Sequence, residues 1–165
     1  MDISKYASDL PYPEIDVEKN VAESKLLMPS YAGSASELTA ILTYAFQSYV
    51  TTKYPEIATA MEGIAIVEMH HHELLGKTIY ALGGYPVMGA RTWWNGSFAS
   101  YTLDPKKYLM ENIKAEKSAI ANYERTILNV SDESVKTLLA RIILDEEMHI
   151  KVFKELLAQY FDVQV

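Results

Sequence analysis

Two E-x-x-H units carry the residue types best suited to chemistry: Glu68 with His71 in "IVEMHHHELLGK", and Glu146 with His149 in "RIILDEEMH". On a helix, positions i and i+3 project from one face, so each unit offers one carboxylate oxygen and one imidazole nitrogen to the same ion. A lone glutamate precedes each unit, Glu37 by 31 residues and Glu116 by 30. The neighbourhoods repeat too. "ELTAILTY" at 37–44 matches "EKSAIANY" at 116–123 at the glutamate, at Ala40 and Ala119, at Ile41 and Ile120, and at Tyr44 and Tyr123. Two E-x-x-H pairs plus one glutamate from each of two further helices form an inward-facing ligand set for two metal ions. Four buried carboxylates without cations would repel one another or take up protons, and two divalent ions offset their charge.

Each residue also has a plainer reading. Glu37 fits the third helical position of a capping box begun by Ser34. Glu68 and Glu146 could be solvated helix glutamates, but the apolar flanks "IAIV" and "IIL" place them beside the core. At about 100° per residue, His71 and His72 lie on either side of Glu68, and His70 points away. Angular position alone does not choose between His71 and His72. Superposing Glu68 on Glu146 does, because it puts His71 on His149 and His72 on Ile150. His70 is then a surface or hairpin-packing residue, and His72 lines the edge of the site or a subunit contact. Tyr44 and Tyr123, two turns beyond their glutamates, are either core tyrosines or partners that orient a ligand carboxylate of the opposite hairpin.

Helices must position these groups. Residues 1–33, with "LPYPEIDVEK" and "MPSYAGS", show no sustained helical period and read as an extended arm. Residues 34–165 form the bundle. Its first helix begins near Ala35 and ends before Pro55. The second runs over 55–82, closed by Gly83 and Gly84 where φ > 0 is needed. Asp104–Pro105 opens the third, about 105–129, and Ser131 or Asp132 caps the fourth, about 132–160. Short links join the helices of each hairpin, whereas 83–104 is long enough to travel the ~30 Å length of a bundle. The predicted fold is all-α, a ferritin-like four-helix bundle with a crossover between its second and third helices, the alternative being an up-down-up-down bundle in which 83–104 is a large functional loop. Trp93 and Trp94 in that crossover read as packing or interface anchors.

Composition narrows the chemistry. The chain has 165 residues, a formal charge of −7, 49% hydrophobic and 22% charged residues, and no cysteine. One domain is expected. The acidic balance and the lack of a basic stripe exclude nucleic acid as a partner. Without cysteine there is no disulfide, zinc ribbon, iron–sulfur cluster or thiol nucleophile. The N-terminus lacks a basic-then-apolar leader, and no stretch reaches the ~18 apolar residues that span a bilayer, so a cytoplasmic protein is expected.

Taken together, "SELTAILTYAFQ", "GIAIVEMHH", "ENIKAEKSAIANYE" and "RIILDEEMH" resemble the manganese catalase family of the ferritin-like superfamily, including its short bacterial and spore-coat relatives. The resemblance covers roughly residues 11–160. It implies that Glu37, Glu68, His71, Glu116 and His149 are metal ligands, with Glu68 and Glu116 bridging, and that Glu146 is either a ligand or a proton-handling base. It further implies a dinuclear centre with manganese favoured over iron, hydrogen peroxide as the substrate of a disproportionation, and a homo-oligomer that is cytoplasmic or spore-associated. Rubrerythrins usually add an E-x-x-E pair on the third helix, and here Ile113 and Ala119 flank Glu116 instead. The arginine that manganese catalases can carry before that glutamate is Ala115. Two other functions fit the same residues: a di-iron peroxidase or oxidase of rubrerythrin type, and a non-enzymatic metal-binding coat protein.

Overall fold

The computed structural model describes residues 3–165. Five α-helices follow in order: α1 Val21–Ala32, α2 Glu37–Val50, α3 Pro55–Ala81, α4 Pro105–Ile127 and α5 Glu133–Phe161. Among the described residues the only β pairing is an isolated bridge between Gly89 and Trp93, and no helix is long and apolar enough to cross a membrane.

Hydrogen bonds between α2 and α4 fix the topology. Glu37 meets Tyr123, Tyr44 meets Glu116, Gln47 pairs with Asn112, and Thr51 contacts Tyr108. One residue number rises as the other falls, so α2 and α4 are antiparallel neighbours. Since α2–α3 and α4–α5 are themselves hairpins, α3 and α4 run the same way. The link 82–104 must therefore return along the bundle, and its contacts trace that path over α2. Trp94 donates its indole N–H to Thr39 at 2.9 Å, the Ser100 N–H reaches Thr43 at 3.2 Å, and Tyr101 packs edge-on against Phe46. Trp94 is thus a packing anchor, whereas Trp93 is 73% exposed.

Local chemistry places the helix ends. Asp132 caps α5 by accepting from the N–H groups of Ser134 and Val135 at 2.8 and 3.1 Å. At the end of α3, Gly84 N–H bonds Ile79 O and Gly83 N–H bonds Tyr80 O, a Schellman arrangement with Gly83 at φ +88°. Gly84 does not share the positive φ expected of it. Its hydrogen side chain instead admits Ser24, whose Oγ would lie 2.4 Å from an added Cβ.

Two expectations are corrected. The segment 1–33 is extended only in part, because residues 21–32 form α1 despite Pro29. Asn20 caps that helix, and buried Leu27, Tyr31 and Ala32 seat it on the bundle, so packing supplies what the weak period does not. Ser36 rather than Ser34 caps α2, its Oγ accepting from Thr39 N–H at 3.3 Å. Glu37 is therefore the first helical residue, and its carboxylate turns inward instead of closing a capping box.

The core is split. One apolar cluster gathers Ile57, Met61, Ile64, Leu109, Phe153 and Leu157, and the other gathers Leu27, Leu75, Ile79, Val135, Leu138 and Ile142. Between them, in the middle of α3 and α5, lies a buried polar layer. Truncating a fully buried leucine in either cluster to alanine costs about 2–5 kcal/mol, so the two apolar ends hold the layer in place.

Candidate metal centre

The polar layer contains all six residues singled out as ligands. Glu37, Glu68, Glu116, Glu146, His71 and His149 are each at most 3% exposed. Their ligand atoms fall into two groups, Glu37–Glu68–His71–Glu146 and Glu68–Glu116–Glu146–His149, and within each group one such atom per residue lies within 4.8 Å of the others. Both histidines turn Nδ1 inward. His71 Nδ1 is 3.2 Å from Glu68, 3.5 Å from Glu146 and 3.6 Å from Glu37. His149 Nδ1 is 3.1 Å from Glu146, 3.2 Å from Glu68 and 3.6 Å from Glu116. Glu68 and Glu146 are common to both groups. Glu37 belongs only to the first group and Glu116 only to the second.

The two tyrosines cross between hairpins. Tyr44 of α2 donates to Glu116 Oε1 of α4 at 2.5 Å, and Tyr123 of α4 donates to Glu37 Oε1 of α2. Each phenol orients one carboxylate: Tyr123 holds Glu37 Oε1 and leaves Oε2 toward His71, whereas Tyr44 holds Glu116 Oε1, the oxygen that also faces His149. The donor set fits divalent cations on a direct observation: Glu37 Oε2 and Glu68 Oε1 are buried without a hydrogen-bond partner, although ring nitrogens lie 3.6 and 3.2 Å away. Lone pairs converging out of hydrogen-bond alignment are what oxygen-and-nitrogen coordination requires.

Without cations the layer holds protons instead. Burial, with the charges of Glu68 and Glu146, pushes Glu37 well above the usual carboxylate range. Burial, with Glu146 and Glu68, pushes Glu116 up to about 8, and Glu146 is raised as well. Glu68 goes the other way: its burial is outweighed by the neighbouring Glu37, His149 and His71. Burial opposes protonation of His71, but Asp145, Glu37 and Glu68 raise it, and the carboxylates around His149 act likewise. An entering divalent ion displaces these protons.

Of the other histidines, His70 is a surface residue, 3.7 Å from Glu73 and edge-on to Tyr12. His72 does not line the centre. It stacks on Tyr31 of α1 with centroids 4.1 Å apart. Its place was not legible because its partner lies on a helix the sequence does not announce.

A further set went unseen in the sequence. Asp145 accepts from His71 on the far side of the ring, with Nε2 to Oδ2 at 3.0 Å. Arg141 donates to Asp145 Oδ1 at 2.6 Å, the Ser8 N–H donates to the same oxygen at 2.7 Å, and Tyr12 donates to Oδ2. These bonds hold the Asp145 carboxylate ionised despite its burial. The available signal was two charged residues in "LLARIILD", Arg141 within the apolar run and Asp145 at its end, four apart on one helix face.

A cavity of about 200 Å³ reaches this layer from beside the link. Glu37, Glu68, Glu116 and Glu146 form its floor, and small side chains such as Ala40, Thr43, Ala115 and Ala119 line its walls.

The rubrerythrin family model matches residues 30–157, which includes every residue of the two ligand groups. The chain belongs to the rubrerythrin family. Within that ferritin-like fold, a probable manganese catalase of Clostridium acetobutylicum is 26% identical over 87% of this chain and 74% of its own length. The crystal structure of KatB, a manganese catalase from Anabaena, superposes with a TM-score of 0.85 at 26% identity, covering 93% of this chain and 80% of that one. A Desulfovibrio desulfuricans bacterioferritin with a diiron site superposes at 0.70, also at 26% identity, over 87% and 86% of the two chains. The missing E-x-x-E on α4 shows that family membership does not require that pair.

Proposed function

We propose that this protein disproportionates hydrogen peroxide at a dinuclear manganese centre held by Glu37, Glu68, His71, Glu116, Glu146 and His149. The observation that carries the reading is the pair of overlapping ligand groups sharing Glu68 and Glu146, and the likeness to two manganese catalases supports it. A redox-active metal pair held by these residues would supply the two-electron exchange by which two hydrogen peroxide molecules give two waters and one dioxygen.

The residues supply the remainder. The Tyr44 and Tyr123 hydroxyls fix the two unshared carboxylates. The two apolar clusters close the layer above and below, leaving the cavity beside the link as the way in for a molecule of peroxide's size. Glu146 lines that cavity, so it is placed to take a proton from peroxide and give it back. Exposed aromatics including Tyr85 and Trp93 fit self-association of the chain into a homo-oligomer.

The family match also favours a second reading, a di-iron peroxidase of rubrerythrin type, in which an external donor supplies the electrons. Oxygen evolution from peroxide, measured on chain loaded separately with Mn(II) and Fe(II), separates the two. Donor-independent evolution with manganese is expected. Donor-dependent peroxide loss with iron alone selects the second reading, and inertness with both leaves a metal-binding structural protein. Glu146→Gln resolves its role: retained metal with lost turnover marks proton handling, and joint loss marks a ligand.

A further inference from the structure

The inner faces of the two E-x-x-H units match, but their outer faces do not. His71 Nε2 meets Asp145, which is itself held by Arg141, Ser8 N–H and Tyr12. His149 Nε2 is buried with no hydrogen-bond partner. The offset that places Glu146 on Glu68 places Asp145 on Val67 and Arg141 on Gly63. The first hairpin therefore cannot provide the same support to His149. Val67 is buried and apolar, and the space an added Gly63 side chain would take is filled by the ring of Tyr6, only 2.1 Å from such a Cβ.

We propose that the two metal positions are inequivalent by construction: the position of His71 fills first, and Asp145, clasped by Arg141 and the N-terminal arm, is the positioning residue that makes it so. The inference rests on the dimetal reading above. A carboxylate accepting from Nε2–H fixes the tautomer whose Nδ1 lone pair faces the ion, fixes the ring's rotation, and makes Nδ1 a stronger donor. His149 has no such partner on its Nε2 side, where packing alone holds the ring. The clasp is also anchored at several points. Arg141 donates to Leu10 O at 2.7 Å and to Ser8 O at 2.8 Å, and its guanidinium lies 4.2 Å from the Tyr12 ring centroid. Residues 8–12 thus reach the His71 ring through Asp145, and Tyr12 also packs edge-on to that ring.

The test titrates the full-length metal-free chain with Mn(II), reading free ion by electron paramagnetic resonance. One bound ion repels the next, so a gap between the two steps does not decide the matter; the histidine that carries the first step does. His149→Ala is expected to leave the first midpoint in place and remove the second step. His71→Ala is expected to weaken the first step on the order of 10- to 100-fold, the usual effect of losing an outer partner or more. Asp145→Asn should shift the first midpoint the same way and leave the second unmoved. Tyr12→Phe, which keeps Asp145, serves as a milder probe with a smaller shift of the same sign. Circular dichroism of each variant confirms folding. Equal effects of the two histidine variants, or an unmoved first step in both Asp145→Asn and Tyr12→Phe, would overturn the proposal while leaving the dimetal reading intact. Failure of the unaltered chain to bind Mn(II) at all would overturn both.

Discussion

Hairpin α2–α3 and hairpin α4–α5 present the same residues to the centre: Glu37 and Glu116, Tyr44 and Tyr123, Glu68 and Glu146, His71 and His149. One turn outward the likeness stops. Where α5 carries Arg141 and Asp145, α3 carries Gly63 and Val67, and the arm lays polar contacts on one and an aromatic ring on the other. The two faces answer to different constraints. A pair of ions surrounded by carboxylates needs donors from both sides at similar distances, which holds the inner residues to one pattern. Each outer face needs only to satisfy its own neighbours, and those neighbours differ because a single arm packs against two helices.

That comparison can be broken at several strengths. Glu68 is common to both groups, so Glu68→Ala should lose both metal equivalents, whereas Glu37→Ala and Glu116→Ala should each lose mainly one. Elemental analysis of dialysed protein gives the stoichiometries, and full retention by Glu68→Ala would end the site assignment. The tyrosines come next. Tyr44→Phe and Tyr123→Phe should each weaken the position served by the freed carboxylate, on the order of 10-fold or more. Competition with a chelator measures this, and an effect confined to one of them would show that the inner symmetry is only geometric.

A smaller effect is expected of pH. Glu116 has its folded pKa pushed up to about 8, above its unfolded value, so the metal-free folded state binds an extra proton across the interval between them. Its contribution, and that of the raised histidines, is present at low pH and lost as pH rises. Metal-free chain should therefore melt at a higher temperature near about pH 5.5 than near pH 8. The loaded protein should show the opposite slope, because protons compete with metal for the same atoms. Thermal melts with and without Mn(II) check the two signs. Smallest of all is His70→Ala, which removes an exposed ring and should change stability by no more than about 0.5 kcal/mol, with metal content unchanged.

The layer was legible in sequence because side chains that converge on one point from several helices must recur at fixed spacings. E-x-x-H fixes a helix face, and the repeat chose His71 over His72 where angle alone did not. Helices with a proline start and a glycine stop were legible too, since Pro55 and Gly83 act through their own backbones. What escaped depends on long-range partners. α1 has little amphipathic period and is held by packing; Ser36 competed with Ser34 for the same cap; and Asp145 has meaning only once residues 8–12 are laid beside it. No local pattern announces a contact between residues more than a hundred positions apart.

The way the arm grips α5 has a consequence for how substitutions are tolerated. Of its contacts to Arg141 and Asp145, those from positions 8 and 10 come from the backbone, through Ser8 N–H, Ser8 O and Leu10 O. Any residue that keeps its amide can make them, so the side chains at 8 and 10 are free to vary while the grip persists. Proline at 8, which removes the donor, is the exception. A connection between the chain's start and its metal layer can thus be inherited by a lineage whose sequences share almost nothing there.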